Sequence, residues 1–259
     1  MRLILCTIIA TAISAAAAPA QNWDDCKHEA QRAASVTAAD ARLLVVEAGS
    51  GSLKIEGKSG VSSIVIRGRA CASDRDLLDD IRLEARRNGN NVAVRANVRD
   101  RNHSSFRRNE YARLDVVMEV PAGMAAEIED GSGSIELSNL GAVDLNDGSG
   151  EIVASNLAAI RIEDGSGGIE LSDVKGRVDI DDGSGEITLR NIGGPIDIDD
   201  GSGEISIRGA NGSVRISDAS GSIDVTDVTG DFTVDDDGSG SITYDNVRGK
   251  IDIPRKKRK

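Results

Sequence analysis

Aromatic residues are nearly missing from this 259-residue chain, which has one Trp, two Tyr and two Phe. Sugar clefts and single-strand nucleic-acid binders stack their ligands on such rings, so both classes lose support. Histidine is as scarce, with His28 and His103 far apart in the sequence. No Gly-x-Ser-x-Gly elbow and no metal-spaced His pair occurs. Nucleophilic and metal-assisted hydrolysis are left without their usual parts. The apolar and small residues at positions 3–18 form one long run, too short and alanine-rich for a spanning helix of ~20 residues.

That run reads as a secretory signal peptide. Arg2 supplies the positive start, and Ala18-Pro19-Ala20 fits the small-x-small rule, so the predicted cut follows Ala20. Cys6 is then removed with the signal. Cys26 and Cys71 remain, and an even count in an oxidising compartment predicts one disulfide. Two buried free thiols are the alternative. A bridge closes a loop of about 45 residues and contributes up to ~4 kcal/mol in the chain-entropy model.

Positive charge is thin where it would matter for nucleic acid. Residues 127–253 hold 28 acidic and 8 basic residues, a net of −20. Residues 21–126 are near balance, with 15 acidic and 17 basic. The last five residues are all basic. A basic footprint is required for nucleic-acid binding, so no nucleic-acid partner is expected.

What the sequence does have is a repeat. Asp-Gly-Ser-Gly begins at Asp130, Asp147, Asp164, Asp182, Asp200 and Asp237, with Asp-Ala-Ser-Gly at Asp218. The offsets are 17, 17, 18, 18, 18 and 19, and a degenerate Ala-Gly-Ser-Gly begins at Ala48. Within a unit, Ile187 and Leu189 alternate with polar residues, a break follows at residues 191–194, and Ile196 and Ile198 alternate again. Period-two alternation predicts two short strands and two turns per unit. Five inward side chains contribute ~10 kcal/mol. Ordering 18 residues costs more, at ~1–2 kcal/mol each. Stacking resolves the deficit, because each unit then pairs above and below. Seven coils at ~4.8 Å make a rod of ~30–35 Å. Glycine serves corners that need positive φ, Asp accepts backbone N–H groups in Asx-type turns, and variable coil length is taken up at the second turn, near Lys175 and Pro195.

The first half is β-rich but not repetitive. Residues 43–47, 53–56, 63–67 and 114–120 read as strands, and Asn88-Gly89-Asn90-Asn91 joins two alternating runs as a hairpin. Residues 74–80 read as one helical turn. This half is expected to cover the first coil and protect its open edge. The predicted organisation is a signal peptide at 1–20, an N-terminal β-rich cap region at 21–126, β-solenoid repeats at 127–253 and a basic tail at 254–259. The fold class is all-β, a single-chain parallel β-solenoid of about seven coils with an N-terminal capping region.

Runs such as Ile196-Asp197-Ile198-Asp199-Asp200-Gly201-Ser202-Gly203-Glu204-Ile205 give the chain a family look. It resembles bacterial envelope β-strand-repeat proteins of unknown function, also described as adhesin-like, over residues 43–253. The resemblance implies an extracytoplasmic β-solenoid acting in binding, adhesion or scaffolding, in the periplasm or outside the cell. It brings no catalytic residue to carry over.

Three candidate sites remain. In-register stacking aligns the repeat aspartates, and unit charges ~4.8 Å apart repel by ~0.9 kcal/mol in water or ~3.5 at an effective dielectric of 20. Turn N–H groups, raised pKa values or bound cations must offset this. Calcium suits carboxylate oxygens, but the nonapeptide calcium-solenoid pattern is not matched, so no metal and no cofactor is expected. The second candidate is Arg99, Arg101, Arg107, Arg108 and Arg113, interleaved with Phe106 and Tyr111. They suit an anionic ligand, with a solvated hairpin loop as the plain alternative. The third is the basic tail, a possible contact to an anionic membrane surface. No catalytic residue is predicted. A carbohydrate-active β-helix enzyme and a calcium-dependent solenoid are the rival readings.

Overall fold

The structure, a computed structural model, describes residues 26–98 and 110–254. The predicted signal peptide, most of the arginine loop and the basic tail after Pro254 lie outside the described residues. The chain begins with β1 (His28–Thr37), β2 (Leu43–Glu47), β3 (Leu53–Lys58), β4 (Ser63–Ala72), α1 (Arg75–Asp80), β5 (Ile81–Asn88), β6 (Asn91–Val98) and β7 (Ala112–Pro121). The repeats follow as pairs: β8 (Ala125–Asp130) and β9 (Ile135–Ser138), β10 (Ala142–Asp147) and β11 (Ile152–Ser155), β12 (Ala159–Asp164) and β13 (Ile169–Ser172). Then come β14 (Val178–Asp182) and β15 (Ile187–Ile192), β16 (Ile196–Asp200) and β17 (Gly203–Ala210), β18 (Val214–Asp218) and β19 (Gly221–Val228). The last are β20 (Phe232–Asp237), β21 (Ile242–Val247) and β22 (Ile251–Asp252).

Two 11-stranded sheets result, one holding the odd-numbered repeat strands and the other the even-numbered ones. Their facing sides form one continuous core. In β10, Val143 and Leu145 are buried while Asp144 and Asn146 are exposed, as strand alternation demands. Equivalent residues stack in parallel register, for example Ile162 on Ile180 and Ile180 on Ile198. The predicted β-solenoid of about seven coils is therefore the observed fold. Corners stack as well as strands: Gly148 N–H donates to Asp130 O at 3.1 Å, and Gly165 N–H to Asp147 O at 3.1 Å.

The added residue that lengthens the unit from 17 to 18 falls at the second turn, as expected, since Asp173 opens that turn and Val178 already pairs with Ile160. The 19-residue unit differs. Its extra residue is a bulge within β20, where Ile216 pairs with Val234 but Ser217 pairs with Asp236.

The first half contains a feature the repeat count did not predict. β2 pairs in parallel with β6 on one side and β8 on the other, and β3 likewise lies between β7 and β9. Residues 43–58, with the Ala-Gly-Ser-Gly copy, thus form a coil continuous with the repeats. The chain leaves this coil, builds β4, α1 and β5, returns as β6 and β7, and resumes as β8 on its far side. Antiparallel pairs close this end: β1 on β4, β4 on β7, and β5 on β6. Asp74 caps α1 by accepting the Leu77 N–H at 2.9 Å. Among the described residues no helix is long and apolar enough to cross a membrane.

Candidate functional site

The repeat aspartates point inward. Counting by two along each strand from Leu145 or Ile180 lands on Asp147 or Asp182, so the carboxyl continues the core face. Asp147 is 2% exposed, Asp200 2% and Asp218 0%. In register they form one column at the first corner, Asp130 to Asp147, Asp164, Asp182, Asp200 and Asp218. The predicted Asx-type turn is present. One Oδ of Asp164, Asp182, Asp200 and Asp218 accepts the N–H of the serine two residues on, at 3.2, 3.1, 3.1 and 2.8 Å. The other Oδ of each has no hydrogen-bond partner, and Asp130 and Asp147 make no well-formed hydrogen bond, only a weaker approach from the Gly131 N–H and from the Gly148 and Ser149 N–H groups respectively.

Buried carboxylates without donors are costly, and the acid form is favoured. Burial lifts the Asp130 carboxyl to about 7, helped by the charge of Asp147. Burial lifts Asp200 to about 6, with Asp182, Asp218 and Asp199 adding repulsion. Asp147, Asp164, Asp182 and Asp218 are raised as well, again by burial first. Of the three ways to offset the repulsion, turn N–H groups act at one oxygen of Asp164, Asp182, Asp200 and Asp218, and the raised pKa values are the second. Among the described residues, no group of three or more His, Cys, Asp or Glu side chains is placed to hold a metal ion.

The first glycine of the corner serves close approach rather than backbone freedom. A Cβ on Gly165 would lie 2.5 Å from the Gly148 carbonyl oxygen, although Gly165 has no positive φ. At the second corner, the left-handed residue is not glycine in most coils. Asn139, Asn156, Asp173, Asn191, Asp227 and Asn246 occupy it with φ of 51–61°, and Gly209 fills the remaining place. Asn and Asp tolerate this region better than other side chains. The recurring Asn or Asp four residues after the repeat isoleucine was the available signal.

Outside, the sheet of even-numbered strands is acidic. Asp179 and Asp181 on β14 stack on Asp197 and Asp199 on β16, and Glu163 on β12 stacks on Asp181. Arg177 bridges Asp179 and Asp197 at 3.0 Å each, and Arg161 meets Glu163 at 2.6 Å. Asp181 and Asp199 have no cationic partner among the described residues. Nearer the cap, a shallow cavity of about 250 Å³ is lined by Val45, Glu47, Glu127, Glu129, Asp144 and Asn146.

Of the predicted anion-binding arginines, Arg99, Arg101, Arg107 and Arg108 lie outside the described residues. Arg113 is the second residue of β7, opposite Cys71, with Nε 4.0 Å from Asp115 Oδ2. Asp115 also accepts the Ser52 N–H at 3.0 Å and hydroxyl at 3.2 Å. Cys26 and Cys71 are bonded, with Cα atoms 5.6 Å apart, tying the start of β1 to β4.

No family model and no curated protein sequence matches the chain at a significant level. Solved structures do resemble it. A candidate cell adhesion protein of Clostridium sporogenes is 14% identical, with 87% of this chain and 99% of that chain covered and a TM-score of 0.38. A candidate lipid-binding protein of Parabacteroides distasonis is 14% identical, with 87% and 97% covered and a TM-score of 0.47. A candidate adhesin of the same species is 11% identical, with 87% and 97% covered and a TM-score of 0.41.

Proposed function

We propose that this protein is a non-enzymatic, extracytoplasmic binding or scaffolding module of the bacterial envelope, and that its acidic outer face meets a cationic partner. The observation that carries this reading is the in-register pair of outward carboxylate columns, Asp179–Asp197 and Asp181–Asp199, extended by Glu163. Carboxylates stacked in register on neighbouring coils present charge at fixed spacing, which suits an extended partner better than a small substrate. Opposite charge steers association and sets register. The Cys26–Cys71 bond fits an oxidising compartment. The arginines at 99–108 are kept as a second, anionic contact.

The test is a pull-down of the mature protein against fractionated envelope. A variant with Asp179, Asp181, Asp197 and Asp199 changed to Asn serves beside one with Arg99, Arg101, Arg107 and Arg108 neutralised. Binding that is lost in the Asn variant and weakened by salt is the expected result. Binding retained in that variant moves the contact off this face. No binding to any fraction removes the reading altogether.

A further inference from the structure

The interior carboxyl column has no role in that outer-face contact, and its surroundings are unusual. Six aspartates, Asp130 to Asp218, are each at least nine-tenths buried and aimed into one corner of the core. Each keeps at least one oxygen without a donor. The charged groups acting on them are all acidic: the column neighbours themselves, Asp237 above Asp218, and Asp181 and Asp199 from the outer face. From the turns come only Gly, Ala219 and Ser. From the strands across the corner come Ile152, Ile169, Ile187, Ile205 and Ile223, all buried and apolar. Glu151, Glu186 and Glu204 follow the turns but are exposed. Arg161, Arg177 and Arg215 are paired on the outside. Below Asp130 the column continues as Ala48, which is neutral.

A metal ion is a poor occupant. Calcium takes about 6–8 oxygens at 2.3–2.6 Å, whereas each orphan oxygen has neighbouring carboxyls only above and below. A proton needs no such ligand set. It neutralises one carboxyl and gives it an O–H to share along the column.

We propose that the aspartate column is a proton-binding site built into the solenoid: folding takes protons up from solvent, and acidification tightens the rod. The sign follows from linkage. An acid that holds its proton more firmly when folded contributes full stability below its unfolded pKa, and that stability is lost as pH rises through the folded value. With unfolded Asp near ~3.9, and Asp200 and Asp130 lifted to about 6 and 7, the window runs from mildly acidic to neutral pH.

The experiment is urea unfolding of the mature, disulfide-intact protein in unbuffered solution at pH 6, with released protons counted by an indicator dye. At least about one proton should leave per chain, from Asp130 and Asp200 alone, and the urea midpoint should fall steadily from pH 4.5 to 7.5. Asp182→Asn with Asp200→Asn should release fewer protons and raise the midpoint at pH 7.5, because an amide can donate to the neighbouring carboxylate. If that variant does not fold, the wild-type proton count decides alone. Three results overturn the proposal: no release, a midpoint that is flat or rises with pH, or a midpoint at pH 7.5 raised by millimolar calcium over chelator.

Discussion

A methyl group on Gly167 would sit 1.6 Å from the carbonyl oxygen of Gly150, at a φ of 143°. Both the overlap and the backbone conformation oppose a side chain there. Gly167→Ala should therefore cost ~3 kcal/mol or more in urea unfolding. Gly60 is the control, with a φ of 75° but nothing within 4 Å of an added Cβ; Gly60→Ala should cost ~1 kcal/mol. The second corner makes its own comparison. Asn191 stands opposite Gly209 in the neighbouring coil, so Asn191→Gly should be nearly neutral while Asn191→Ala costs ~1 kcal/mol. At this scale the sequence was half legible. The Asp–Ser turn bond followed from residue chemistry. The inward aim of the carboxyl did not, because an ionisable group at a corner is normally solvated, although strand parity from Leu145 or Ile180 already pointed it into the core.

Among the elements, the hairpin at Gly89, the short helix after Asp74 and the repeat strands were readable because their local chemistry agrees with the final fold. β1 was not. Its sequence, HEAQRAASVT, has one β-branched pair at its end and no aromatic residue, and it becomes a strand through ten antiparallel pairings with β4. Nor did the order of residues reveal that β2 and β3 are inserted between strands made later; the degenerate Ala-Gly-Ser-Gly was the one trace. β1 is an edge strand, paired on one side only, and the Cys26–Cys71 bond adds a covalent tie at its start. Reduction should cost up to ~4 kcal/mol, and the loss should be local. Hydrogen exchange is expected to rise in β1 while β12 to β16 keep their protection. An even loss of protection over both regions contradicts this.

For the whole molecule, the two ends are unlike. One is closed by antiparallel strands. At the other, Tyr244 and Ile251 are 43% and 37% exposed at positions whose equivalents below, Val225 and Phe232, are fully buried. The last coil before Pro254 has a neighbour on one side only and is expected to open first. The disulfide adds something that stability alone does not express. The inserted coil, residues 43–58, lies inside the covalent loop from Cys26 to Cys71. Tension applied at the two ends of the chain passes through the sulfur bridge and never reaches that coil. Stretched in a single-molecule instrument, the rod should pay out one coil at a time from the Pro254 end, ~60 Å of chain per step. The inserted coil should stay hidden until the bridge is reduced, and its loop of 45 residues should then add ~150 Å of contour length.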